Sequence, residues 1–338
     1  MAGRQCRSLV VGFLAGVSLG LLCSATAGAQ AWLPPKGEAW LSLGYGNVFV
    51  TKHYLGTRDN PGDNVENDFG HIRGQSVGMV LGYGLTDRLA LSVGIPFMVT
   101  KYDGTSPHNR SHTVPQQFID DGLYHGTFQD YTINLRYQAY NGWMAIAPFA
   151  SAVIPSHSYT TFAHAAPGRG LHEYQLGFSL GGRLDRLLPG SYVEATYGYA
   201  FVERVLDIYH NRSDFALEVG YFLTPSLSVR GIGTGHYTHG GYDLKCGNPG
   251  GAPCIPDAYR PYHDLIVRTS AINLGGGLSY VLTGSTEIYA SYLRTVQGRG
   301  GHKIDQALSF GVGWSFSPSQ LVRQYFPSRS AGSSAEAP

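Results

Sequence analysis

The chain has 338 residues, a formal net charge of +1, and charged residues at 14% of the total, against a usual share of about a quarter. Near-neutrality excludes a nucleic-acid partner, which calls for a basic face. With 46 Gly and 23 Tyr, the composition suits short strands and turns.

At the N-terminus, Arg4 and Arg7 precede an apolar run over 9–22 that is short for a membrane helix, and Ala27-Gly28-Ala29 supplies a small-x-small cleavage pattern. Residues 1–29 therefore read as a secretory signal peptide, 30–318 as the folded domain and 319–338 as a polar, disordered tail. Cys23 is a poor lipid anchor, because Leu22 stands where a small residue is wanted. Removing the signal leaves Cys246 and Cys254 in the loop "CGNPGGAPC", which in an oxidising compartment reads as a disulfide. Two thiols without further ligands are too few for a metal site, so no metal or cofactor is expected. No later apolar run reaches the length of about eighteen residues that a spanning helix needs.

About twelve segments with strand-like alternation follow, an even number typical of closed outer-membrane barrels. Their spans are 37–52, 71–85, 88–101, 127–140, 143–155, 171–184, 191–204, 213–223, 226–238, 265–282, 285–296 and 304–316. Tight connections ("LTDR", "YNGW", "LTPS", "LTGS") alternate with long polar ones, as periplasmic turns alternate with extracellular loops.

The faces of the strands decide what surrounds the protein. In "FQDYTINLRYQAYNGW", Tyr131, Ile133, Leu135 and Tyr137 share one parity, while Thr132, Asn134, Arg136 and Gln138 share the other. Elsewhere the polar parity is mostly Gly, Ser and Ala, as at Ser76, Gly78 and Gly82 or Ser309, Gly311 and Gly313. Solvated strands usually carry Lys, Glu and Thr, so this face reads as an inner wall. Val77, Met79, Leu81 and Tyr83, with Leu308, Phe310, Val312 and Trp314, form an outward belt suited to lipid. An Arg at mid-membrane on that belt costs about 2–4 kcal/mol, so Arg136 must point inward. Unpaired edges in hydrocarbon are costly too, so the first and last strands must pair. The expected fold is an all-β, transmembrane, antiparallel up-and-down barrel with periplasmic termini, in the bacterial outer membrane. Its partners are membrane lipid and the outer-membrane assembly machinery, whose C-terminal signature is matched by Ser309-x-Gly311-x-x-Trp314-x-Phe316.

By parity, the channel lining is Asn134, Arg136, Gln138, Glu173, Gln175, Arg183, Glu194, Glu218, Arg230 and Asn273. These residues either meet a passing solute or satisfy one another across the lumen. Twelve strands imply an intermediate bore, which many small inward residues would widen. Only 30–36 precede the first strand, so a gate is expected from loops at 102–126 and 239–264. His53, His108, His112, His157, His164, His239 and His263 read as solvated loop residues, and so do Asp59, Asp63, Glu66 and Asp68. No histidine is followed two positions later by the Ser of an outer-membrane phospholipase, so no enzyme is expected.

"WLPPKGEAWLSLGYG", "LSVGIPFMVTKYDG" and "DDGLYHGTFQDYTINLRY" resemble the outer-membrane protein family named for the meta-cleavage pathway of phenol degradation. The resemblance implies passive uptake of small hydrophobic or aromatic compounds. A lumen-filled barrel with a structural or surface-binding role is the alternative, and a lipid hydrolase ranks below both.

Overall fold

Period-two alternation becomes twelve long antiparallel strands in the computed structural model, which describes residues 31–54, 66–67, 70–111, 114–243 and 254–320. The signal segment, His112, Cys246, Asp59, Asp63, Asp68 and the tail beyond 320 lie outside the described residues. In chain order the strands are β1 (Ala39–Tyr54), β2 (His71–Thr86), β3 (Leu89–Asp103), β4 (Tyr131–Tyr137), β5 (Met144–Ile154) and β6 (Glu173–Arg183). They continue as β7 (Ser191–Val202), β8 (His210–Phe222), β9 (Leu227–Gly240), β10 (Ser270–Thr283), β11 (Thr286–Arg299) and β12 (Gly301–Phe316). Each strand pairs with its sequence neighbour, and β12 returns to pair with β1 from Ala39↔Phe316 to Tyr54↔Gly301. The sheet closes into a barrel with no free edge strand, as hydrocarbon requires.

The barrel is inside out relative to a water-soluble protein. Leu81 is 48% exposed and Phe310 52%, whereas Ser42 and Ser179 on the opposite face are 0% exposed. Arg136 is buried inside, between outward Leu135 and Tyr137, as its parity requires. Tyr83, Tyr140, Trp143, Tyr174, Phe201, Tyr280 and Trp314 are exposed aromatics toward strand ends, where interfacial side chains belong. No described helix could cross a membrane; the strands do so instead. This architecture places the chain in the bacterial outer membrane.

Both termini of the described chain and the connections after β2, β4, β6, β8 and β10 lie at one end, here the turn end; the long connections, with the shorter ones after β7 and β11, lie at the other, the loop end. Three local features differ from the sequence reading. The 265–282 segment begins later, because Asp257–Tyr262 forms a 3-10 turn and His263–Ile266 one α-helical turn. The gap at 297–303 between the last two expected segments is mostly strand, with Gly300 alone between β11 and β12 at φ +56°, a left-handed conformation that glycine adopts without penalty. The bulge at Val50/Lys52 in β1 is held by Asp305, whose carboxylate accepts both the Thr51 N–H and hydroxyl at 2.7 Å.

Small inward residues do not widen the bore. Trp40 pairs in register with Gly82, Tyr192 with Gly220 and Tyr289 with Gly311, and each ring occupies the space a Cβ on that glycine would take. Glycine on one strand thus makes room for a large inward ring on the next. Gly220→Val drives a side chain into the Tyr192 ring, and overpacking of this kind costs about 1–3 kcal/mol. The expected result is a lower chemical-unfolding midpoint in micelles than for the unsubstituted protein.

Candidate functional site

Going inward from the turn end, the first occupants of the lumen are residues preceding β1. Ala31 is fully buried, and Ala31 and Trp32 lie against Gly181. Gln138 holds this segment, donating to the Ala31 carbonyl at 2.9 Å and accepting the Leu33 N–H at 3.2 Å. Loops were expected to supply every obstruction, but this short segment supplies one at the opposite end.

Next comes a charged belt from β4, β7, β8 and β9. Arg136 donates to Asn134 at 3.1 Å and lies over the Phe149 ring. Glu194 and Glu218 stand opposite each other in register, an arrangement that repels unless cations intervene. Arg230 pairs with Glu218 at 3.4 Å, and the Tyr192 hydroxyl donates to Glu218 at 2.7 Å. Neither carboxylate oxygen of Glu194 has a hydrogen-bond partner among the described residues.

The loop half holds a second network. Arg212 bonds Glu173 at 2.7 Å and Asp214 at 2.8 Å, Gln175 donates to Asp214 at 2.8 Å, and Arg169 joins Glu173 at 3.4 Å. Asn273 links Thr234 and Thr295 on neighbouring strands. Of the ten positions expected to line a channel, nine are buried or half-buried within the barrel, and Arg183 is exposed at the turn end of β6, paired with Asp185 at 2.6 Å. Its parity is inward, but the strand ends there and the turn supplies the acid. The expected segment begins at 213 and so excludes Arg212, whereas Asp214 lies inside it on the Glu218 parity; following that parity along the whole of β8 (His210–Phe222) reaches both.

Above these networks the long loops fold into the barrel. Ile119 from 104–130 and Ala163 and Ala165 from 155–172 pack on Val48, Val50, Ile72 and Tyr102 inside the strands. Asp120 fastens both loops, its buried carboxylate accepting the N–H groups of His108, His164 and Ala165 at 2.9 Å each. Gln116 adds a second clasp through the N–H groups of Thr161 and Phe162.

Between the inserted loops and the wall lies a chamber of about 420 Å³. His53, His108, His164, His236, His263 and His302 line it, with Ala163, Leu265, Val267 and Ile304 supplying apolar surface. Four of these histidines were expected to be solvated loop residues, but His53 lies within β1, and the loops carrying His108, His164 and His263 turn inward or over the mouth. His157 and His239 are hydrogen-bonded to Thr127 and Ser213 outside the chamber. Burial, followed by the repulsion of His164, His263 and His53, pulls His108 down to about 2. Burial also lowers His164, against the opposing pull of Asp120 and Asp264. A released loop would hold His108 near its ordinary value of 6.5, so the closed form loses stability as pH falls below that value.

One stretch of wall beside the chamber is open in the sheet sense. The β11–β12 ladder runs from Thr286↔Trp314 to Leu293↔Ala307. Beyond it, β11 keeps pairing with β10 as far as Ser270↔Arg299, and β12 with β1 as far as Tyr54↔Gly301. Thr295 and His302, one from each side of this divergence, both face the chamber. Cys254, in the loop above it, is disulfide-bonded; Cys246, the expected partner, lies outside the described residues.

These features define a bacterial outer-membrane β-barrel. An outer-membrane channel of the COG4313 group from Pseudomonas putida F1 has the same fold, with a TM-score of 0.61 and 15% identity, over 85% of this chain and 98% of that one. More remote likenesses are to the NanC porin (TM-score 0.45, 10% identity, 81% and 98% covered) and a mutant of the TodX monoaromatic hydrocarbon channel (TM-score 0.37, 9% identity, 88% and 94% covered). No family model and no curated protein matches the chain, so the resemblance to the meta-pathway family gains no support from either.

Proposed function

We propose that the chain is a passive outer-membrane channel for small hydrophobic or aromatic compounds, with termini and turns in the periplasm and loops at the cell surface. The chamber carries the proposal. It is large enough for a small aromatic molecule, it is walled by imidazole rings and aliphatic groups, and it adjoins the divergence of β11 from β12. An apolar solute gains by leaving water for such a surface, and ring faces stack on imidazoles. Asn134, Arg136, Glu173, Gln175, Glu194, Glu218, Arg230 and Asn273 form the polar path between chamber and turn end, with Gln138 and Trp32 at its exit. No reaction is assigned to the site.

The second reading, a filled barrel that binds at the surface, draws on the burial of Arg230 and Glu218 at 3% and 2% side-chain exposure. Against it stand the Glu194 oxygens and the Arg230 Nε and terminal nitrogen, buried without protein hydrogen bonds. A structural packing of charges leaves few such groups, whereas a path for solute needs them. Liposome uptake decides the matter. Vesicles containing the protein should take up toluene-sized aromatics faster than empty vesicles; equal rates, with or without 104–130 trimmed, would contradict the channel reading.

A further inference from the structure

We propose that His53, His164 and His302 form a binding site for a divalent transition-metal ion of the zinc, copper or nickel kind, tying the inserted loop to the seam of the barrel. The seam is where β1 closes on β12, and there His53 and His302 are register partners with ring centroids 4.3 Å apart. His164 arrives from the 155–172 loop, its backbone fixed by Asp120, with its ring 5.3 Å from His53 and 6.4 Å from His302. One ligand atom from each of the three lies within 4.8 Å of the others.

The tautomer of His164 gives the independent observation. Its Nε2 is 3.0 Å from the Ser106 carbonyl oxygen, which can only accept, so the proton sits on Nε2. The lone pair is therefore on Nδ1, which is buried without a hydrogen-bond partner in a residue only 4% exposed. A backbone carbonyl holding the far nitrogen is the usual support of a metal-binding imidazole. Tetrahedral zinc with Zn–N near 2.1 Å sets ligand nitrogens about 3.4 Å apart, so closing the site takes movements of about 1 Å. Imidazole donors favour zinc, copper and nickel over calcium and magnesium, which take oxygen.

Two neighbouring groupings are weaker. In His108, Asp120 and His164, both oxygens of Asp120 are engaged by backbone N–H groups. In His108, His263 and Asp264, the His263 Nε2 already meets Asp264 at 3.1 Å. The proposal stands apart from the transport reading, since an ion can bind whether or not a solute passes.

The test is calorimetric titration of zinc chloride into the full, chelator-treated protein in detergent micelles, with calcium chloride as comparison. One equivalent of zinc and no calcium should bind. His164→Gln and His302→Gln should each weaken zinc by about tenfold or more, while His172→Gln, on an exposed residue paired with Glu203, should not. Folding of each variant is checked by heat-modifiable mobility. If one fails to fold, zinc protection of His164 in the unsubstituted protein against diethyl pyrocarbonate, read by mass spectrometry, takes its place. Absence of a zinc site, absence of protection, or loss on His263→Gln with retention on His302→Gln would overturn the assignment.

Discussion

Asp120→Ala opens the loop end, raising single-channel conductance several-fold over the unsubstituted protein and speeding aromatic uptake. The carboxylate accepts three backbone N–H groups from two loops, at His108, His164 and Ala165, and the last two bonds are buried. Hydrogen bonds to a charged group are worth about 1.5–3 kcal/mol each, so their joint loss removes several kcal/mol from the closed arrangement. Three donors are also stranded in an apolar cluster around Ile119, Ala163 and Ala165, which favours the loops leaving it. The barrel strands are untouched, so heat-modifiable mobility should persist. Planar-bilayer recording checks the result; unchanged conductance with the barrel intact would mean these loops are not the barrier.

The second large effect is on stability. Arg212→Met leaves Glu173 and Asp214 facing each other inside the barrel, where Arg212, at 2% side-chain exposure, bonds to both. Breaking a buried network by removing its central cation costs about 3–5 kcal/mol, because the charges left behind are neither solvated nor paired. Arg169 is near enough to Glu173 to recover part of that, at 3.4 Å, so the effect sits toward the lower figure. The matched comparison is Arg183→Met, whose pair with Asp185 is half exposed and screened by water. Urea titrations in micelles should show a large fall in midpoint for the first variant and almost none for the second. Equal shifts would mean that the loop-half network lies open to solvent.

Much of the barrel was legible because a membrane strand must answer two solvents with a period of two. The parity that sent Arg136 inward rested on the cost of a cation in lipid, a local cost that needs no knowledge of neighbours. Closure of β1 on β12 followed for the same reason. Properties set by contacts between distant segments were not legible. Inward glycines suggested a wide bore, yet Gly82, Gly220 and Gly311 receive Trp40, Tyr192 and Tyr289, and that pairing depends on register across strands. Histidines at 53, 108, 164, 263 and 302 are scattered along the chain; the closure of β1 on β12 pairs His53 with His302, and only the folding of the loops brings His108, His164 and His263 to the same chamber. Polar loops usually stay in water; here Asp120 and Gln116 satisfy the backbone that insertion buries, a compensation without a local sequence pattern.

The claim beneath all of this is that one face of every strand meets lipid and the other an enclosed interior. Nitroxide labels at Leu81, Leu217, Phe310 and Thr196, introduced singly and reconstituted in phospholipid, test it through collisions with oxygen and with a water-soluble chromium complex. The first three should respond strongly to oxygen and weakly to the complex, whereas Thr196, buried inside β7, should be shielded from the oxygen-rich hydrocarbon. Strong chromium contact at Leu81 and Phe310, with oxygen favouring Thr196, would reverse the two faces and contradict the account.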